Sequence, residues 1–373
     1  MRDFVIKELV ANDMESELEK IGFDSSYLRF ASDKYRYKTL KVFDLNPAQA
    51  NILKQTALSC GADCATHREV ITGKVESSNI ILGGSVSELR KIAEKLQPQP
   101  FSLSVLAEKI LNSLEEKKRK TKLVGVLNIT PDSFSDGGKY LEPEAALAHL
   151  KQMVAYGADM IDIGAESTRP YSEAVSAKEQ IERLRPILEA ALDINIPLSI
   201  DTRSSEVAEF ALKHGVKIIN DVSGFDYDSK MADVIAQYSG GVIIQHSKGN
   251  PQEMQDNPVY KDVVEEVYLS LFKKVDYALS KGVKNIIIDP GIGFGKTRED
   301  NFEILNRIEE FYSLNLPLLL GVSRKSLLGV NNEDNNLKDS LSLAISYPLM
   351  QKGVDYLRVH NVKLHKQLLN SVI

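Results

Sequence analysis

Residues 286–297 read Ile-Ile-Ile-Asp-Pro-Gly-Ile-Gly-Phe-Gly-Lys-Thr, an apolar run that breaks into glycines and ends in Gly-Lys-Thr. A phosphate loop of the Walker A kind needs a glycine, four residues, then Gly-Lys-Ser/Thr. Counting back from Gly295 puts that first glycine at Pro290, so the loop is no nucleotide cradle. Its chemistry lies instead in Asp289, a carboxylate at the end of an apolar run, with glycines beyond it that leave room for a flat ring. Asp201 and Asn220 end two similar runs. Two carboxylates and an amide facing one space accept hydrogen bonds from ring N–H and exocyclic NH2 groups, and Lys325 can donate to a ring carbonyl. Arg358, His360 and the run Ser323-Arg324-Lys325-Ser326 supply the opposite sign. Arginine holds a phosphate by paired hydrogen bonds and lysine acts as a point charge. Asn128 adds an amide oxygen of the kind that Mg2+ takes while bridging substrate phosphates. The set suits a nitrogen-rich heterocycle carrying a phosphate, and more specifically a diphosphate, group.

These residues need elements that bring them together. From residue 121 onward, eight short apolar runs alternate with amphipathic helical ones: LVGVLNI, MIDIGA, PLSIDT, IINDVSG, GVIIQHS, NIIIDPG, PLLLGVS and YLRVHN. Eight strand–helix units over about 250 residues predict an α/β fold, a (β/α)8 barrel spanning 121–373. Gly157, Gly215, Gly282 and Gly353 each follow a helical run and read as left-handed helix stops. A doubly wound open sheet is the competing architecture, but it requires a glycine fingerprint after the first strand that VLNITPDSFSDGG lacks. The charged run SLEEKKRKTK (113–122) marks a seam. Before it, residues 1–115 predict a small α/β domain, with helices in MESELEKIG, NPAQANILKQTALSCG and SVSELRKIAEKL and strands in FVIKEL, TLKVFDL and NIILGG. That domain shows no catalytic constellation.

The 373-residue chain carries a net charge of −6, which gives no overall attraction to nucleic acid or anionic membrane. It has no apolar stretch of membrane-spanning length and no signal-peptide core, so a cytoplasmic location is expected. Cys60 and Cys64, four residues apart without a nearby His cluster, read as structural.

In such barrels the chemistry sits at the C-terminal ends of the strands. Here those ends supply Asn128, Asp162 with Glu166, Asp201, Asn220 with Asp221, Gln245 with His246, Asp289, Ser323-Arg324-Lys325, and Arg358 with His360. Taken singly, each is explained as a cap or a solvated strand end; the convergence of the set on one face is what points to a site. Asp162, flanked by Ile161 and Ile163, reads as a satisfied core carboxylate that orients its neighbours.

Assembled, the chain resembles the dihydropteroate synthases of folate biosynthesis. The matching stretches are LNITPDSFSDGG (127–138), DIGAESTRP (162–170), SIDT (199–202), INDVSG (219–224), QHSKGNPQEMQ (245–255), DPGIGFGKT (289–297), SRKSLLG (323–329) and RVHNV (358–362). The resemblance implies that p-aminobenzoate displaces pyrophosphate from (7,8-dihydropterin-6-yl)methyl diphosphate, with Mg2+ as cofactor and a homodimer as the assembly. It implies Asp201, Asn220, Asp289 and Lys325 on the pterin, and Asn128, Thr168, Arg358 and His360 on the diphosphate, with Asn128 also on the metal. It further implies Thr168, Arg169, Pro170, Phe294 and Ser326 around p-aminobenzoate, a pocket that sulfonamides would enter, and Asp136 near the reacting methylene. Among these, Asp136, Arg169, Lys325, Arg358 and His360 would carry the catalysis. The chain departs from the family pattern at Asn361, Gln245, Ser247 and Ile292. The alternatives are a pterin-binding methyltransferase, which needs no diphosphate site, and a non-catalytic pterin-binding barrel.

Overall fold

The structure is a computed structural model; it describes residues 4–9, 13–115, 119–129, 138–166, 175–191, 194–249, 258–330 and 334–372. The chain divides into two compact units, Met1–Lys117 and Lys118–Ile373, each described here by itself.

In the first unit, α1 (Met14–Lys20) and α2 (Leu28–Ser32) precede β1 (Tyr37–Leu45), α3 (Pro47–Ser59), β2 (Asp63–Ala65), β3 (Ser78–Ser85), α4 (Val86–Leu96) and α5 (Leu103–Leu114). The strands form an antiparallel sheet in the order β1-β3-β2. Asn46 with Gln49 and Ser85 with Glu88 make reciprocal capping boxes that satisfy the first N–H groups of α3 and α4. Leu53, Ile80, Leu82, Leu89, Ile92 and Leu103 pack between the sheet and these helices. Residues 4–9, predicted as a strand, are not one: Phe4, Val5 and Ile6 are exposed, and among the described residues no strand pairs with the segment to give it a ladder.

The second unit is the predicted barrel. Its strands are β4 (Lys122–Asn128), β5 (Met160–Gly164), β6 (Leu198–Asp201), β7 (Ile218–Asp221), β8 (Gly241–Gln245), β9 (Asn285–Asp289), β10 (Leu319–Leu320) and β11 (Tyr356–Val359). All pairs are parallel in the order β10-β11-β4-β5-β6-β7-β8-β9, and the bridge Ile288↔Leu318 brings the two ends together. The strands are followed in turn by α6 (Gly138–Ala155), α7 (Ala177–Ala190), α8 (Ser205–Lys213), α9 (Met231–Gln237), α10 (Val263–Ser280), α11 (Arg298–Asn306), α12 (Asn335–Gln351) and α13 (Val362–Val372). The run NFEILNRIEEFYSLN, read as one helix, is α11 followed by a tighter 3-10 segment, Ile308–Leu314. The four predicted glycine stops all have positive φ, from +76° at Gly353 to +91° at Gly157.

Candidate active site

The period of a strand builds the site in two tiers. Val124, Met160, Ile243, Ile287 and Leu319, with Ile218 and Tyr356 packed against them, form an apolar floor inside the barrel. Residues two further along a strand point to the same side. On β5, β7, β8, β9 and β11 those residues are Asp162, Asn220, Gln245, Asp289 and Arg358; on β6, Ser199 is followed by Asp201. One alternation therefore yields both the apolar plug and the polar layer above it.

Asp162, 1% exposed, is the best satisfied member of that layer. It accepts from Ser199 Oγ, from Asn220 Nδ2 at 2.9 Å and from Arg358 Nη1 at 3.2 Å. Arg358 Nη2 reaches Asp201 Oδ2, also at 3.2 Å, so one guanidinium bridges two buried carboxylates. It cannot neutralise both. Burial pushes the Asp201 carboxyl up to about 7, Asp162 adds to the shift, and Arg358 opposes it.

Among the described residues, Asp201 Oδ1 and Asn220 Oδ1 are buried acceptors with no donor. The Asn220 orientation is fixed chemically: its NH2 must face the Asp162 carboxylate, which leaves its oxygen on the other side. The two residues are register partners on adjacent strands, so their bare oxygens come as a pair. Each orphan costs about 1–3 kcal/mol unless something donates to it.

Asp289 is 2% exposed; its Oδ1 accepts from Gly291 N at 2.8 Å, and burial raises its pKa against the pull of Lys325. Lys325 Nζ donates to Ile292 O at 2.5 Å and lies 4.7 Å from the Phe294 ring centre. Desolvation brings this ammonium down to about 8, with Asp289 opposing. The bare Gly321 leaves it space: a Cβ there would stand 3.5 Å from Lys325 Nζ and 3.8 Å from Arg358 Cβ.

His360 Nδ1 lies 3.0 Å from Ser323 Oγ, which also accepts the His360 backbone N–H. Burial and the neighbouring Arg324 and Arg358 hold this imidazole at about 3, so it is neutral. Arg324 is not free for an anion. It sits at φ +57° and forks onto Asp339 through Nε at 2.7 Å and Nη2 at 2.9 Å. Asn361 Nδ2 donates to the same Asp339 at 3.0 Å, while its Oδ1 accepts from Leu364 N at the start of α13. This explains one departure from the family pattern: an amide at 361 can donate to Asp339, where a carboxylate would oppose it.

The structure thus brings Asp201, Asn220, Asp289, Lys325, Arg358 and His360 to one mouth. Asn128 joins them through the gap at Gly164, where a Cβ would lie 3.3 Å from Asn128 Oδ1 and 3.7 Å from Asp201 Cβ. Phe294 is half-buried beside Lys325, and Ser326 is exposed at the start of the Ser326–Leu328 turn. Asp136, Thr168, Arg169 and Pro170 lie outside the described residues. Of the other departures, Gln245 and Ile292 are buried and Ser247 is half-buried. Sequence reasoning passed over Ser199, Asp339 and Lys296. The signal for Asp339 was a lone acidic residue on α12 with no basic residue three or four positions away to pair it; only the folded chain shows its arginine.

For a divalent cation, the described residues contain no group of three His, Cys, Asp or Glu side chains placed to hold one. The single exposed amide oxygen of Asn128 is a hard but weak donor. That set fits Mg2+ carried mainly by a substrate's phosphates, and does not fit a dedicated protein cage.

Residues 124–360 match the family of pterin-binding enzymes. A dihydropteroate synthase of Clostridium beijerinckii is 42% identical over 65% of this chain and 90% of its own length. A Helicobacter pylori protein named a bifunctional dihydropteroate synthase/dihydropteroate reductase is 33% identical over 98% of this chain and 97% of its own. A probable bifunctional folylpolyglutamate synthase/dihydropteroate synthase of Haloferax volcanii is 34% identical over 84% of this chain, which spans only 40% of that protein. Among solved structures, dihydropteroate synthase of Anaplasma phagocytophilum with bound 6-hydroxymethylpterin-monophosphate aligns with a TM-score of 0.62 at 38% identity, over 68% of this chain and 100% of that one. The chain belongs to the pterin-binding enzymes, in the dihydropteroate synthase family.

Proposed function

We propose that the barrel condenses (7,8-dihydropterin-6-yl)methyl diphosphate with p-aminobenzoate, giving 7,8-dihydropteroate and pyrophosphate. The observation that carries this reading is the pair of orphan acceptors, Asp201 Oδ1 and Asn220 Oδ1, side by side on a polar layer. A pterin presents a ring N–H and an exocyclic NH2 along one edge, which is what two adjacent acceptors demand. Asp289 accepts from the remaining N–H groups, and Lys325 turns from Ile292 O to the ring carbonyl.

Arylamines are weak nucleophiles, so the residues must ease departure of the leaving group. Arg358 offers its remaining N–H groups, and neutral His360 donates through Nε2 while Ser323 Oγ holds Nδ1. Asn128 would hold Mg2+, whose charge would offset that of the departing diphosphate. Phe294 and Ser326 would flank p-aminobenzoate with Thr168, Arg169 and Pro170, and Asp136 would stand near the reacting methylene. Sulfonamides, which mimic p-aminobenzoate, would compete for that pocket. A homodimer and a cytoplasmic location belong to the same proposal; among the described residues no helix is long and apolar enough to cross a membrane.

Pyrophosphate release by the full chain, given the dihydropterin diphosphate and Mg2+ with and without p-aminobenzoate, tests the reaction. Release should depend on the amine and collapse in Lys325→Ala. Release that ignores the amine, or that survives in the variant, would refute it.

A second reading rests on the Helicobacter pylori relative, whose match covers 98% of this chain and 97% of its own and so includes the first unit. The full chain would also reduce dihydropteroate, taking a hydride from a nicotinamide or flavin donor and a proton from water. Formation of the tetrahydro product under reducing conditions is expected; its absence with either donor class would remove this reading.

A further inference from the structure

Lys296, the lysine of the misleading Gly-Lys-Thr, is 2% exposed. Its ammonium donates to Gly291 O at 2.9 Å and to Phe294 O at 3.0 Å, and lies 3.0 Å from His246 Nδ1. His246 is the neutral partner, held at about 2 by burial and by Lys296 itself. Nζ is therefore a hub around which residues 291–294 are wrapped. Backbone sterics demand glycine in that wrap. Gly291 and Gly295 have φ of +71° and +62°, and a Cβ on them would stand 1.8 Å from His246 O and 2.3 Å from Lys248 O. Struts on the other side complete it: Gly293 N donates to Asn301 Oδ1 at 2.7 Å, and Tyr260 OH donates to Gly295 O at 2.8 Å. The outer rim of the same wrap carries Ile292 O and the Phe294 ring, the two groups that fix Lys325 Nζ.

We propose that Lys296 is a positioning residue for the synthase reaction: its ammonium sets the glycine loop, and through Ile292 and Phe294 the loop sets Lys325 and the arylamine pocket. This inference rests on the function proposed above. Burial brings Lys296 down to about 7, opposed by Asp289 and Asp300 and assisted by Lys325 and Lys248, so the hub is poised to lose its proton near neutrality. A neutral amine has two N–H groups for three close acceptors and no longer draws the carbonyls inward.

The test is steady-state kinetics on wild type, Lys296→Met and Lys296→Gln, varying p-aminobenzoate at saturating dihydropterin diphosphate, which holds Asp201 and Lys325 in their bound protonation states. Lys296→Met should raise KM for p-aminobenzoate at least about tenfold with kcat within about threefold. Lys296→Gln, which keeps two donors, should fall between. In wild type the same KM should climb severalfold from pH 6 to 8.5 with kcat nearly flat. Should Lys296→Met fail to fold, the wild-type profile decides alone. A flat wild-type KM, or a loss of kcat in the variants with KM unmoved, would overturn the inference while leaving the synthase reading intact. A wild type without amine-dependent pyrophosphate release would instead sink that reading and this inference with it.

Discussion

Two of the barrel's buried polar clusters differ in how completely they are satisfied. Around Lys296, each hydrogen of the ammonium has an acceptor within about hydrogen-bond reach. On β6 and β7, Asp201 and Asn220 keep one bare oxygen each among the described residues. Folding tolerates an orphan acceptor only at a cost of about 1–3 kcal/mol, so a paired set of them marks where a ligand is expected to complete the structure. The satisfied cluster marks scaffold. The contrast also separates two stretches that look equally functional as text: Gly-Lys-Thr (295–297) is internal framework, and Ser-Ile-Asp-Thr (199–202) carries the open acceptor at Asp201.

The comparison breaks most sharply at Arg358. Arg358→Ala leaves Asp162 and Asp201 as facing buried carboxylates without a cation. It should cost roughly 3 kcal/mol in urea unfolding, taking the low end for a partly exposed guanidinium, and abolish synthase activity. A loss under about 1 kcal/mol would show that the bridge is unimportant to the fold.

Asp201→Asn comes next and acts on ligand recognition. It should lower kcat/KM for the dihydropterin diphosphate about 100-fold, equivalent to about 2.7 kcal/mol. In wild type, Asp201 must be ionised and Lys325 protonated, so kcat/KM should rise to a plateau between about 7 and about 8 and fall on either side. The acidic limb should vanish in Asp201→Asn and the basic limb should stay. Stability runs the other way. A carboxyl raised from 3.8 to about 7 binds its proton more tightly in the folded state, so its stabilising contribution is full below 3.8 and lost as pH rises through about 7.

Asn361→Asp acts on a third cluster, also satisfied, around Asp339. It removes the donor 3.0 Å from Asp339 and sets two carboxylates together, and it should destabilise by about 1 kcal/mol at pH 7. The smallest effect belongs to a position outside these clusters. Gly215 has φ +89° and open space around its missing Cβ, so Gly215→Ala should cost about 1 kcal/mol, the low end for a left-handed residue, from backbone strain alone, with unchanged kinetics.

What could be read from the chain followed the range of the physics. Strand alternation and left-handed helix stops act within a few residues, so the barrel, its strand ends and the stops at Gly157, Gly215, Gly282 and Gly353 were visible in the text. Pairings across the barrel were not. Nothing near Asp162 announces Arg358, and Arg324 reads as an anion ligand until α12 brings Asp339 to it. Lys296 was passed over because, once the Walker A spacing failed, nothing in the text gave its charge a partner, and only the fold places Gly291 O, Phe294 O and His246 around it. Residues 4–9 misled because an apolar run is a strand only where another strand meets it.

The central claim is that Asp201 and Asn220 read the N–H edge of a pterin. The most direct measurement is calorimetric affinity of the full chain for pterin against lumazine, in which an oxo group replaces the 2-amino group. A site built to accept from that amine should bind pterin at least about 100-fold more tightly, since lumazine turns an oxygen towards bare oxygens. Equal affinity for the two would contradict the account.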